Sequence, residues 1–361
     1  MNNYSDCKYS DLFDFLKKKL PWHLSRIKFF GLLICALCQS RTVNFQQLAV
    51  YFDSNAKISS SMRRIQRFFA EFEVDFALIS KLIFKLLPEQ PPYKLSMDRT
   101  NWMFGTVHIN ILMLSVVYKG VAFPLMWELL PKAGNSNTQE RISLINRYIH
   151  LFGKENITHL LADREFVGDE WFSYLIYENI KYYIRIRDNF DVYIPSKGRI
   201  KALWMFNSLP LNTVLNYPKI VYLKGNLVYL SGMKTVGKNG KLEFVIVASY
   251  CFSYDALENY KDRWQIETLF KALKTSGFNI EDTHLTNLDR INRMIVLVSI
   301  TFVWSYLTGI YRHENIERII IKKHGRRAHS FFAFGLALIN KALTNCNITL
   351  FTDCLKLLSC T

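Results

Sequence analysis

Tyr260, Arg263, Glu267, Lys271 and Lys274 lie within the Pro- and Gly-free stretch YDALENYKDRWQIETLFKALKT, residues 254–275. At about 100° per residue these five side chains fall within roughly an 80° sector of one helix. Ile266, Leu269, Phe270 and Leu273 form the adjoining apolar stripe. With Asp255 as its cap, such a helix runs for about twenty residues, about 30 Å. One carboxylate gathered among cations at the edge of a buried face suits a cation or phosphate site. A solvated face tied by i,i+4 pairs such as Glu267 with Lys271 is the plainer alternative. Two further carboxylates, Asp98 and Asp163, each follow a strand-like run. Three carboxylates without Cys or His are hard oxygen donors, suited to Mg²⁺ or Mn²⁺ rather than Zn²⁺. Two such ions roughly 3.5–4 Å apart activate a water or hydroxyl and stabilise the leaving oxygen in phosphoryl transfer. Without a cation, like charges that close are costly. Glu165 and Asp169 are the nearest competitors for the role of Asp163. Glu258, off the shared sector, competes with Glu267.

The elements that must position these groups can be read along the chain. Residues 1 to about 85 carry helical periodicity over Asp11–Leu20, Leu24–Cys38 and Asn44–Phe52. Ser59, Ser60 and Ser61 offer N-caps for a helix with Met62, Ile65, Phe68 and Phe69 buried and Arg63, Arg64 and Arg67 outward. A short helix, a turn through Asp53–Lys57 and an Arg-rich helix outline a helix-turn-helix DNA reader, or a small bundle with a basic surface. Beyond Glu89-Gln-Pro-Pro92 the texture becomes strand-like: Lys94–Met97 leading to Asp98, then Thr106–Tyr118 and Val121–Trp127 with Gly120 between them. Thr138–Phe152 reads as a helix capped by Asn137 or Thr138 and stopped by Gly153. Ile157–Ala162 reads as a strand ending at Asp163, Asp169–Asn179 as a helix and Lys181–Ile186 as a strand.

The succession β-β-β-α-β-α-β, with an acid at the end of its first and fourth strands, predicts the mixed α/β sheet of a ribonuclease H-like fold. The carboxyl ends of the first and fourth strands then lie together, so Asp98 and Asp163 can share a cation and a later helix can bring Glu267. Short strands divided by Lys-Gly, Pro and Gly-Asn turns mark residues 188–250 as a β-rich insertion. The expected division is therefore a helical DNA-binding region over 1–90, a catalytic core over 91–187 and 251–312 interrupted by that insertion, and a basic helical region over 313–361. Arg318, Lys322, Lys323, Arg326 and Arg327 make the last region basic. Trp264, on the motif helix, is expected to pack inward, with base stacking as the alternative.

The net charge of +16 on 361 residues favours a polyanionic partner, and the 50% hydrophobic content argues against disorder. Seven cysteines, an odd number, fit a reducing compartment. Cys35 and Cys38 lie in an apolar run with no matching ligand pair, so they read as core thiols rather than half of a zinc site. Met294–Ile310 nears a spanning length but carries Ser299, Thr301, Trp304, Ser305 and Thr308, which suits a buried core helix better. No secretory signal pattern opens the chain, and the expectation is a cytoplasmic protein without a membrane partner.

The chain resembles the DDE transposases of bacterial insertion sequences, specifically the insertion-sequence-four family with its Tyr-x2-Arg-x3-Glu-x6-Lys motif. Tyr260, Arg263, Glu267 and Lys274 match that motif without a spacing error. MDRTNW around Asp98, LLADREFVG around Asp163 and the β-insertion extend the likeness over essentially the whole chain. The resemblance implies catalytic, metal-binding Asp98, Asp163 and Glu267, with Mg²⁺ or Mn²⁺ as cofactor, two ions in all. It implies double-stranded DNA as partner, both inverted-repeat ends and target, bound by a homodimer. Nicking, a hairpin intermediate and strand transfer would follow. Tyr260, Arg263 and Lys274 would contact phosphates, with Lys271 and Arg99 as further candidates. One aromatic of the insertion, among Trp204, Phe206, Tyr217, Tyr222, Tyr229 and Phe244, would stack on a flipped base. A nuclease without strand transfer, or a non-catalytic DNA-binding protein, is the alternative.

Overall fold

A computed structural model describes residues 9–52, 56–237, 239–323, 325 and 327–359. Five helices come first: α1 (Ser10–Lys19), α2 (Leu24–Ser40), α3 (Phe45–Val50), α4 (Ile58–Glu71) and α5 (Phe76–Lys85). Strands β1 (Tyr93–Phe104), β2 (Val107–Tyr118) and β3 (Val121–Leu129) follow, then α6 (Thr138–Phe152), β4 (Ile157–Ala162), α7 (Asp169–Tyr177) and β5 (Tyr182–Ile186). The β-rich segment supplies β6 (Asp191–Ile194), β7 (Gly198–Lys201), β8 (Val214–Asn216), β9 (Val221–Leu223), β10 (Asn226–Val236) and β11 (Leu242–Ser249). The chain closes with α8 (Ala256–Lys261), α9 (Gln265–Leu273), α10 (Leu288–Tyr311), α11 (Phe331–Thr344) and α12 (Ile348–Ser359). It divides into two units, one of Met1–Pro88, Trp102–Ile109 and Phe270–Thr361, the other of Glu89–Asn101 and Asn110–Leu269.

The second unit is built on a mixed sheet in the order β3-β2-β1-β4-β5-β11-β10-β9-β6-β7, with β8 on β10. The expected β-β-β-α-β-α-β succession is present. β2 and β3 are antiparallel, whereas β1–β4 and β4–β5 are parallel. Lys119 and Gly120, both at positive φ, turn the β2–β3 hairpin. A capping box between Asn137 and Glu140 starts α6, and Gly153 at φ 86° ends it. The β-rich segment is no separate lobe: β11 hydrogen-bonds antiparallel to β5 and carries the sheet onward. Strand β7 escaped the sequence reading because GRIK alternates too briefly to be seen.

In the first unit the 24-residue α10 forms the core, buried from Ile291 to Gly309 on nearly all sides. It is the one described helix long and apolar enough to cross a membrane, and most of that stretch is buried in the protein. Gly309 and Gly335 let α10 and α11 approach until backbone meets backbone, and Phe302 stacks on Phe332 beside them, centroids 5.1 Å apart. Cys35 and Cys38 are buried, as the apolar run around them predicts, and Cys354 is buried as well.

Four local expectations change. Asp98 is not at a strand end, because β1 continues to Phe104. Ser59–Ser61 are not caps: α4 starts at Ile58, after Lys57, without a side-chain cap bond. The long helix over 254–275 is interrupted by a 3-10 turn at Asp262–Trp264, and Asp255 makes no side-chain cap bond. Trp264 points to solvent, 61% exposed, rather than inward. Of the helix-turn-helix outline, α3 and α4 are present; Asp53–Asn55 of its turn, like Arg326, lies outside the described residues.

Candidate active site

Parallel pairing of β1 with β4 ends at Met97 opposite Ala162. The next residue on each chain is Asp98 and Asp163, so the two carboxylates leave the same end of neighbouring strands. Each is fixed to the amide that follows it: Arg99 N donates to Asp98 Oδ1 at 2.7 Å, and Arg164 N to Asp163 Oδ1 at 2.6 Å. Asp98 is in the strand rather than at its end, yet it stands where the parallel ladder stops.

Glu267 arrives through α8, the 3-10 turn and the start of α9. Leu257 and Tyr260 of α8 pack on Val247 of β11, with Tyr183, Met233 and Val245 around them. Lys94 Nζ of β1 bonds Asp262 Oδ2 at 2.7 Å, and Gly120 N donates to Gln265 Oε1 at 3.0 Å, so both ends of the turn are tied to the sheet. The tightened turn aims Arg263 inward, 9% exposed. Its NH1 donates to Asp98 Oδ2 at 3.1 Å and its NH2 to Glu267 Oε1 at 2.5 Å. One guanidinium thus joins two carboxylates that are 169 residues apart in sequence.

The electrostatics follow from this arrangement. Burial pushes Asp98 up to about 6; Arg263 and the Arg99 amide oppose the rise, while Glu165 and Asp163 add to it. Burial would lower Arg263, but Tyr260, Glu267, Asp98 and Asp163 hold it above its ordinary value. Burial also carries the Tyr260 hydroxyl to about 12, against the opposing pull of Arg263.

The competing acids are otherwise engaged. Glu165 pairs with Arg99, Asp169 Oδ1 accepts from Asn226 at 2.9 Å, and Glu258 pairs with Lys261 at the surface.

Residues 112–304 match the family model described as Transposase DDE domain. The chain belongs to the DDE transposases. No curated protein sequence matches it. Domains of this family act in DNA transposition and recombination and use divalent metal ions.

In this transposase no three described His, Cys, Asp or Glu side chains are grouped as metal ligands. Arg263 stands between Asp98 and Glu267, a cation where two carboxylates meet. The oxygen-only donor set, with Asp163 at the adjacent strand end, is of the type that suits a hard divalent ion.

The other expected contacts divide into four groups. Tyr260 is buried, its ring 5.9 Å from the Arg263 guanidinium. Arg99 is 12% exposed and engaged with protein acceptors. Lys271 and Lys274 fall in the other unit. There Lys271 is exposed, while Lys274 pairs with Glu281 at 2.6 Å and lies 5.6 Å from the Trp102 ring. On α4, Arg63, Arg64 and Arg67 are all exposed. Arg64 lies 5.1 Å from the Phe29 ring, whereas Arg63 and Arg67, with Arg290, line a cleft of about 720 Å³.

Sequence reasoning missed the Arg263 bridge and the Arg99–Glu165 pair. The first had a signal, Arg and Glu at i,i+4 within the motif. The second had none, because its partners are 66 residues apart.

Proposed function

We propose that this transposase cuts the inverted-repeat ends of an insertion sequence and joins them to target DNA, with Asp98, Asp163 and Glu267 as its metal-holding carboxylates. The observation carrying this reading is the convergence of Asp98 and Asp163 at the end of one parallel ladder, with Glu267 tied to Asp98 through Arg263. The strand order β3-β2-β1-β4-β5, antiparallel then parallel, supports a ribonuclease H-like core. The tie of β11 to β5 supports residues 188–250 as its β-rich insertion. The motif spacing supports the insertion-sequence-four family.

Asp98, Asp163 and Glu267 would hold divalent ions, Mg²⁺ or Mn²⁺ and two in number, which would supply the charge that makes a water or hydroxyl a nucleophile and steadies the leaving oxygen. The chain's own residues orient the reaction. Asp98 and Asp163 are held by backbone amides, so they need no rearrangement when DNA enters. Arg263 neutralises Asp98 and Glu267 in the free protein, and it would be free to meet a DNA phosphate if those carboxylates held a divalent ion instead. Tyr260 keeps that guanidinium within reach. Lys274, Lys271, Arg63, Arg64 and Arg67 add phosphate contacts. Water attacks one strand at the element end, and the freed 3′-hydroxyl attacks the opposite strand to give a hairpin. A second water attacks the hairpin phosphodiester and returns the 3′-hydroxyl, which joins target DNA within a homodimer bridging both ends.

The test supplies Mg²⁺ and DNA carrying the element's own ends. Nicked, hairpin and joined products are expected from the wild type, and Glu267→Gln is expected to bind the same DNA without cutting it. Full cleavage by that variant would sink the site assignment. Nicking without joining would leave a nuclease. Short inverted repeats in the genomic DNA flanking the gene would independently establish the element.

A further inference from the structure

The last backbone tie between β1 and β4 is at Met97 and Ala162. Past that point something else must set how far apart Asp98 and Asp163 stand. Arg99 follows the first of them, and Glu165 lies two residues after the second. Their side chains meet fork to fork: Arg99 Nε donates to Glu165 Oε1 and NH2 to Oε2, both at 3.3 Å. NH1 donates to Asn110 Oδ1 at 3.0 Å and NH2 to Asn135 Oδ1 at 3.1 Å.

These partners are themselves anchored. Asn110 is buried, and its amide donates to the carbonyls of Lys132 and Gly134 at 3.1 and 2.9 Å. Arg141, also buried, donates to the Glu165 carbonyl at 3.1 Å and lies 4.8 Å from the Phe166 ring. The turn after Asp163 is thus gripped twice, by Arg99 on a side chain and by Arg141 on the main chain. Bidentate Arg–carboxylate pairing fixes direction as well as distance. Because each catalytic aspartate bonds the amide of the next residue, its carboxylate follows the backbone that this clamp holds.

We propose that Arg99 and Glu165 are a positioning pair: they clamp the turn after Asp163 to β1 and so set the spacing of the Asp98 and Asp163 carboxylates, and Arg99 does not contact DNA. Four of the guanidinium's five N–H donors already have protein acceptors, which leaves little for a phosphate. The inference rests on the proposed metal site.

The experiment uses the full chain with Mn²⁺ alone as probe, titrated by electron paramagnetic resonance in the absence of DNA. The variants are Arg99→Ala, Glu165→Gln and the double variant. Binding to a generic duplex is measured in parallel at several salt concentrations. Each single variant is expected to weaken Mn²⁺ binding by about 10–100-fold, the range for residues that orient ligands. The double variant is expected to be no worse than the weaker single, because both changes break one clamp. Duplex affinity and its salt dependence are expected to stay at wild-type values. Glu165→Gln keeps the shape of the side chain and removes only its charge, so it remains informative should Arg99→Ala fail to fold. Unchanged Mn²⁺ binding in the variants, with a duplex salt slope reduced by about one as for a lost phosphate contact, would overturn the clamp alone. So would losses that multiply in the double variant. A wild-type chain that binds no Mn²⁺ would overturn the metal site, and the clamp's role with it.

Discussion

Replacing Asp98 by Asn removes a charge that the free protein holds at a cost. The carboxylate is 16% exposed, and burial carries it from the ordinary 3.8 to about 6 despite Arg263 at 3.1 Å. Between those two values the folded chain binds more protons than the unfolded chain. Stability therefore falls as pH rises through that window and stays lower above it. At about 1.4 kcal/mol per tenfold change, the ionised group costs the fold about 3 kcal/mol at pH 7.5. Asn resembles the protonated acid, so Asp98→Asn is expected to be more stable than the wild type by about 1–3 kcal/mol at pH 7.5 while losing cleavage. Urea melts at pH 4, 5, 6 and 7.5 read the difference, which should be small at pH 4 and open between pH 4 and 6. Mn²⁺ at about a hundred times its dissociation constant should return about 2.7 kcal/mol to the wild type and little to the variant. A variant less stable than wild type at pH 7.5, or a gap that ignores pH, would refute the assignment of Asp98 as a buried charge awaiting a cation.

Arg263→Ala leaves Asp98 and Glu267 without their shared cation. The expected loss is roughly 2–3 kcal/mol in metal-free urea melts, below the 3–5 kcal/mol of a fully buried pair because Glu267 is 36% exposed. Mn²⁺ should restore most of it, whereas a loss indifferent to Mn²⁺ would mean that Arg263 acts only in packing. Gly335→Ala places a Cβ 1.9 Å from the Ser305 carbonyl and 2.4 Å from the Gly309 nitrogen, both backbone atoms. The α10–α11 crossing must open, and thermal melts should report a loss of about 1–3 kcal/mol; an unchanged melt would place the two helices farther apart.

Much of the site was legible in the chain because its signals are local. Alternation and apolar runs mark β1, β4 and β5, and a helical period sets Tyr260, Arg263 and Glu267 on one side of a turn. Those patterns follow from the repeat of the backbone itself, so they need no knowledge of partners. The oxygen-only character of Asp98, Asp163 and Glu267 is likewise a property of residue type.

Register and packing decided the rest. The two aspartates stand level because β1 pairs with β4 at Met97 and Ala162, and nothing in either strand alone specifies that pairing. The helix carrying Glu267 had no Pro or Gly to interrupt it, yet it tightens at Asp262–Trp264, where Lys94 holds Asp262 from the sheet. Arg99 looked free to meet DNA until Glu165, Asn110 and Asn135 surrounded it; Trp264 looked buried until the turn faced it outward. The sequence by itself determined the oxygen-only character of Asp98, Asp163 and Glu267 and most of the elements that carry them. Only the tertiary structure decided which cation each carboxylate meets in the free protein, because contacts between residues far apart in sequence depend on strand pairing and packing rather than on local spacing.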